Sequence, residues 1–151
     1  MESYPPLIPY LTVSDAAAAI EFYKNAFAAL EITRHYAPES TMITHAHLVI
    51  NDGSVMLSDD FSSVRGGKSS TPQALGGSPV TIHLQMADVD SFWERAVGAG
   101  ATVAMPLADQ FWGDRYGQLV DPFGHKWSIG QRKESLTEEQ LKEAARVWFK
   151  V

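Results

Sequence analysis

His45 and His47 stand two residues apart in Met42 to Ile50, an alternating stretch with the period of a strand, so they share one face. His83 lies in a second stretch, Pro79 to Met86. There Val80, Ile82, Leu84 and Met86 form the apolar set, leaving Thr81, His83 and Gln85 on the other side. Three imidazoles on polar strand faces could hold a divalent cation or move protons near neutrality. They could equally satisfy hydrogen bonds in a semi-polar pocket. No acidic fourth ligand lies nearby in the pattern, and no carboxylate partner for His83 can be placed.

The other chemistry-bearing stretch is Gln110 to Ile129, a glycine-hinged aromatic loop followed by two strands around Asp121-Pro122-Phe123-Gly124. Proline presets φ for a turn and glycine takes the positive φ, so the stretch predicts a β-hairpin. Phe111 and Trp112 could stack on a flat ligand while Arg115 anchors a polar group. The plainer roles are a Trp112 plug at a cavity mouth and an Arg115 ion pair with Asp114 or Asp109. Trp127, Tyr23 and Phe27 fall on apolar faces and are expected in the core. Two weaker signals are set aside. Gly66-Gly67-Lys68-Ser69 resembles the end of a phosphate-binding loop but has Ser62 where the first glycine belongs. Ser58, Asp59 and Asp60 could hold a cation, yet such a cluster more often marks a solvated strand end.

The elements that position these residues recur in order. Leu7 to Val13 reads as a strand with Pro9 near its start. Asp15 then caps a helix with Ile20, Tyr23, Phe27 and Leu30 at helical spacing. Glu31 to Ala37, Met42 to Ile50 and Ser54 to Ser58 are predicted strands, with Asn51-Asp52-Gly53 as a turn. In the second half Pro79 to Met86 is a strand, Asp88 caps a helix through Trp93 and Val97, and Ala101 to Met105 precedes the hairpin. Asp15 and Asp88 are 73 residues apart, while Leu48 and Leu119, and Gly53 and Gly124, are 71 apart. These offsets predict an α+β chain of two βαβββ modules, residues 5–61 and 79–131, joined by an exposed linker, 62–78, and folding as one domain. A C-terminal helix over 135–150 carries a stripe of Leu141, Ala144, Ala145 and Trp148. Overlaying the halves makes His45 equivalent to Tyr116 and His47 to Gln118.

With 151 residues and 45% apolar content the chain can build a core. A net charge of −6 and scattered basic residues argue against a nucleic-acid partner. No apolar run reaches the roughly 20 residues of a membrane span. The absence of cysteine removes thiolate chemistry and makes a cytoplasmic location the default.

Ile20 to Phe27, His45-Ala46-His47-Leu48, Phe111-Trp112-Gly113-Asp114-Arg115 and Asp121 to Trp127 together resemble the vicinal-oxygen-chelate superfamily of glyoxalases, bleomycin-resistance proteins and extradiol dioxygenases, its PhnB-type branch above all. The resemblance implies cupped mixed sheets with helices outside, a ligand cavity inside, and often a homodimer. Its enzymes hold a divalent metal through one residue from each of four strands. Those positions fall here at Ile8, Met56 (Ser58 if the strand slips by two), Thr81 and Ser128, none of which is His, Glu, Asp or Cys. The expectation is a binder of a small organic molecule, with no cofactor, in a cavity lined by Tyr10, His45, His47, Met56, His83, Trp112, Tyr116, Gln118 and Ser128. The alternative is a lyase, isomerase or dioxygenase using displaced metal ligands or a histidine acid/base.

Overall fold

A computed structural model describes residues 3–151. The first module runs β1 (Tyr10–Val13), α1 (Ala16–Phe27), β2 (Leu30–Tyr36), β3 (Ile43–Ile50) and β4 (Gly53–Asp59). Two short helices follow, α2 (Ser62–Arg65) and α3 (Pro72–Leu75). The second module comprises β5 (Thr81–Gln85), α4 (Val89–Gly98), β6 (Thr102–Asp109), β7 (Asp114–Val120) and β8 (Lys126–Arg132), and α5 (Glu138–Phe149) ends the chain. Each module makes its own four-stranded mixed sheet, ordered β1-β4-β3-β2 and β5-β8-β7-β6. In each, the first strand runs parallel to the last and the others are antiparallel. No helix among the described residues is long and apolar enough to cross a membrane.

The repeat extends to the helix starts. Asp15 accepts from the Ala18 N–H at 3.0 Å, and Asp88 accepts from the Ser91 N–H at 3.3 Å. A second acceptor comes from the last strand of each module: Asp59 Oδ1 takes the Ala16 N–H at 2.7 Å, and Gln131 Oε1 takes the Val89 N–H at 3.4 Å. Orphan N–H groups of a first turn are thereby satisfied from two sides. The other Asp59 oxygen accepts from the Ile43 N–H at 2.6 Å. Asp59 is therefore a structural clamp within the Ser58-Asp59-Asp60 cluster.

Helices α1 and α4 pack on one side of the sheets and meet each other. Phe27 stacks on Phe92 at 5.5 Å, and Trp127 lies 4.8 Å from Phe27 and 5.5 Å from Tyr23, all in one core that draws on both modules. Tyr23, Phe27 and Trp127 are essentially inaccessible, as their apolar spacing predicts. Burying side chains of this size contributes about 1.5–3 kcal/mol each. The modules also exchange contacts at their strand ends. His125, in the β7–β8 turn, bonds the Thr12 carbonyl through Nε2 at 2.9 Å, and Asn51, in the β3–β4 turn, donates to the Gln85 carbonyl at 2.8 Å.

Several boundaries differ from expectation. β1 begins at Tyr10 rather than Leu7, because Pro9 has no N–H to give a ladder; its carbonyl accepts from Met56 instead. β6 runs on to Asp109, with Pro106 tolerated at the sheet edge where the pairing register shifts. The linker is not uniformly exposed. Thr71 caps α3, Pro72 occupies its first turn, and both are buried. A Cβ added at Gly124, where φ is +87°, would lie 2.6 Å from Pro72 Cβ, so only glycine allows this approach. The C-terminal helix has Thr137 as its N-cap in a capping box with Gln140.

Candidate functional site

Leu11 and Val13 are buried under α1, which turns Tyr10 and Thr12 to the opposite sheet face. Across that face the register aligns Tyr10 with Met56, Met56 with His47, and His47 with Thr33. The second sheet repeats the row: His83 pairs with Ser128, Ser128 with Gln118, and Gln118 with Met105. Tyr10 and His83 are thus equivalent, as are Met56 and Ser128, and His47 and Gln118. The nine candidate residues fall into two clusters, one on each sheet.

On the first sheet the Tyr10 hydroxyl meets His45 Nδ1 at 3.0 Å, and the His45 ring stacks near His35 at 6.0 Å. Burial raises the Tyr10 hydroxyl pKa above its ordinary value, a rise offset in part by a Ser58 hydrogen bond and by the charge of Arg65. His47 is 6% exposed. Its Nε2 meets Ser54 Oγ at 2.9 Å, its Nδ1 is buried without a partner among the described residues, and the Tyr4 ring covers it edge-on at 5.1 Å. Neither Tyr4 nor Ser54 stood out in the sequence. Tyr4 precedes two prolines in a stretch without periodicity, whereas Ser54 shares the Met56 face and could have been found by parity.

On the second sheet His83 Nδ1 meets Ser128 Oγ at 2.8 Å, and Nε2 meets Gln85 Oε1 at 2.8 Å. With the Gln85 oxygen as acceptor, Nε2 carries the proton and the Nδ1 lone pair receives the Ser128 hydroxyl. Tyr116 stacks near the same imidazole at 5.9 Å, and its hydroxyl accepts from Gln118 at 3.1 Å. The tyrosine–histidine pair of the first sheet, Tyr10 with His45, therefore recurs as His83 with Tyr116, the residue types exchanged. Gly130 lies beneath: a Cβ there would be 3.0 Å from His83 Cε1. Gln85 shares the His83 face by parity, but its role as acceptor depends on rotamer and register together.

Trp112 packs edge-on to Tyr116 at 5.4 Å and to Phe111 at 5.1 Å, and Phe111 reaches Trp148 of α5 at 5.5 Å. The aromatic loop thus bridges the second sheet face and the C-terminal helix. Arg115 is engaged elsewhere. It grips Asp90 through Nε at 3.0 Å and Nη2 at 2.9 Å and reaches Asp109 at 3.2 Å, while Asp114 pairs with Arg132. The Arg115 hydrogen bond holds the Asp90 carboxyl below its usual pKa. Arg115 is an ion-pair residue in this fold.

The metal positions implied by family resemblance offer little to a divalent cation. Ile8 precedes β1, Met56 supplies a thioether, and Thr81 and Ser128 supply hydroxyls, of which Ser128 already serves His83. Zinc and harder cations need imidazole, thiolate or carboxylate donors. The histidines do not make a substitute: no three His, Asp or Glu side chains among the described residues gather as a metal-binding group. The residues present do not fit the metal.

The comparisons with known proteins agree with the architecture. A model described as Glyoxalase/Bleomycin resistance protein/Dioxygenase superfamily matches residues 7–129. An uncharacterized protein of Mycobacterium tuberculosis (strain ATCC 25618 / H37Rv) is 52% identical over 140 residues, which span 93% of this chain and 82% of that one. Among solved structures, TioX from Micromonospora sp. ML1 superposes with a TM-score of 0.66 at 26% identity, covering 87% of this chain and 99% of TioX. The putative 3-demethylubiquinone-9 3-methyltransferase, PhnB protein, from Bacillus cereus gives 0.64 at 18% identity, with 84% and 99% covered. The two βαβββ modules, their strand order and the family match over residues 7–129 identify the chain as a member of the Glyoxalase/Bleomycin resistance protein/Dioxygenase superfamily.

Proposed function

We infer that the protein binds a small organic molecule against the sheet faces turned away from α1 and α4, without a metal ion. The observation that carries this is the pair of matching rows, Tyr10–Met56–His47 and His83–Ser128–Gln118. They set phenol, imidazole, amide, hydroxyl and thioether groups side by side, a mixture suited to orienting the body of a small organic ligand. The buried Nδ1 of His47, without a partner among the described residues, adds a polar atom that a ligand could satisfy. A second copy of the chain is the expected partner. The exposed Val147, Trp148 and Phe149 at the end of α5, beside Phe111, give that association an apolar surface.

The test is histidine side-chain NMR on EDTA-treated protein titrated with a set of small aromatic and aliphatic fragments. Saturable shifts of the His47 and His83 imidazoles, with the same Kd after addition of Zn, Ni, Mn or Fe, are expected. Binding that appears only with a divalent ion, or no fragment binding at all, would overturn the reading.

One observation favours a second reading, acid–base catalysis. His83 is held between Ser128 and Gln85 with the Nδ1 lone pair facing a hydroxyl, an arrangement able to draw a proton from Ser128 or from a bound substrate in its place. On this reading His83→Asn abolishes turnover yet leaves fragment affinity within a few-fold.

A further inference from the structure

Beside the first sheet, where β4 runs into α2, lies a cavity of about 420 Å³. This is within the roughly 300–1,000 Å³ common for small-ligand sites. Its wall includes Tyr10, Thr12, Ser58, Asp60, Arg65 and Lys68. Tyr10 belongs to the row described above, so the cavity opens from one end of the candidate binding face.

Arg65 distinguishes this cavity. The chain has 18 acidic and 12 basic residues, so carboxylates are in excess. Arg34, Arg115 and Arg132 each pair with one, and Arg95 donates to the carbonyls of Asn25 and Lys24. Arg65 has no carboxylate within ion-pair distance among the described residues, although it lies in the same wall as Asp59 and Asp60. Its guanidinium lies 5.6 Å from the Phe61 ring centre, a contact that orients the planar fork without using its donors. The charge of Arg65 is felt at the Tyr10 hydroxyl across the cavity.

The acidic residues of the wall are already committed. Both Asp59 oxygens accept backbone N–H groups, from Ala16 and Ile43, and Asp60 Oδ1 accepts from the Ser62 N–H at 2.9 Å. Arg65, Lys68 and the Thr12 hydroxyl can donate into the cavity, whereas the Ser58 hydroxyl donates to the Asp59 carbonyl at 3.1 Å and the Tyr10 hydroxyl meets His45. A guanidinium fork matches the two oxygens of a carboxylate or phosphoryl group.

We propose that this cavity binds a small organic oxyanion, with Arg65 pairing to the carboxylate or phosphoryl oxygens and the body of the molecule lying toward Tyr10 and His45. The proposal rests on the small-molecule-binding reading and names the ligand class for it.

The experiment titrates EDTA-treated protein with benzoate, phenyl phosphate and the neutral isostere benzamide, by calorimetry and by NMR with the Arg65 Nε–H assigned. Saturable binding of benzoate or phenyl phosphate, with a shift at Arg65 and none from benzamide, is expected; the better binder identifies the oxyanion. Arg65→Met should weaken binding at least tenfold and Arg65→Lys less. Arg146→Met, which removes the same charge from α5, should leave it unchanged. Equal binding of benzamide, unchanged affinity in Arg65→Met, an equal loss in Arg146→Met, or binding by none of the three probes overturns the oxyanion site. Fragments that move His47 and His83 but not Arg65 leave the broader reading standing while removing this one.

Discussion

The Tyr23 hydroxyl donates to Asp121 Oδ2 at 2.5 Å, joining residues 98 positions apart: the helix of one module and the hairpin turn of the other. Trp127 Nε1 donates to the same oxygen at 2.9 Å, and the other oxygen accepts the Phe123 and His125 N–H groups. Asp121 is 4% exposed, so its charge is held by four donors rather than by water. Tyr23→Phe should cost about 1.5–3 kcal/mol, the range for a bond to a charged acceptor. Asp121→Ala, which strands two buried side-chain donors and two N–H groups, should cost about 3 kcal/mol or more. Urea unfolding with unchanged slope checks both.

The same bond makes stability fall in alkali. Burial, the Asp121 charge and the bond to it hold the Tyr23 pKa well above its ordinary 10.0, with a smaller opposing effect from Trp127. The folded state therefore keeps a proton that the unfolded chain gives up. This contribution is fully present below pH 10 and is lost as pH rises through that value toward the higher folded pKa. Melting temperature against pH should drop above pH 10 in the native chain, and less steeply in Tyr23→Phe.

Gly130→Ala tests the floor beneath His83. The new methyl would press on Cε1 at 3.0 Å and on Gln85 Oε1 at 3.3 Å. The expected outcome is a displaced imidazole that loses its Ser128 bond, seen as altered His83 nitrogen shifts, with a stability loss of about 1–3 kcal/mol. His47, on the other sheet, should be unaffected.

Association through α5 is tested by Val147→Asp combined with Trp148→Ser. Light scattering should report a dimer for the native chain and a monomer for the variant, with the far-ultraviolet helix signal retained. A native monomer would remove the homodimer from the proposal.

Much of the fold is legible because it is written twice. Asp15 and Asp88 cap equivalent helices, and strand parity correctly sends Leu84 inward and His83 outward. Parity fails to fix chain ends: Val80 continues the apolar alternation yet lies before β5 and is exposed. The partners of His47 and His83 are harder to read. Parity gives the face but not which cross-strand neighbour points a donor at the ring, and Tyr4 reaches His47 from a segment with no period at all. Arg65 is hidden for the same reason. Its neighbours in sequence are mainly Ser and Gly, and only folding shows that both Asp59 oxygens are already engaged.

The reciprocal bonds at the strand ends, His125 to Thr12 and Asn51 to Gln85, bear on covalent connectivity. Each half finishes the other, and the Tyr23–Asp121 bond and the aromatic core lie between them, independent of the joining segment. Backbone continuity then serves mainly to keep the halves at high effective concentration. A break between Gly66 and Gly67, both exposed, leaves Pro72 with the fragment whose Gly124 it packs against. Two separately made polypeptides divided there should recombine, by mass action, into the native assembly.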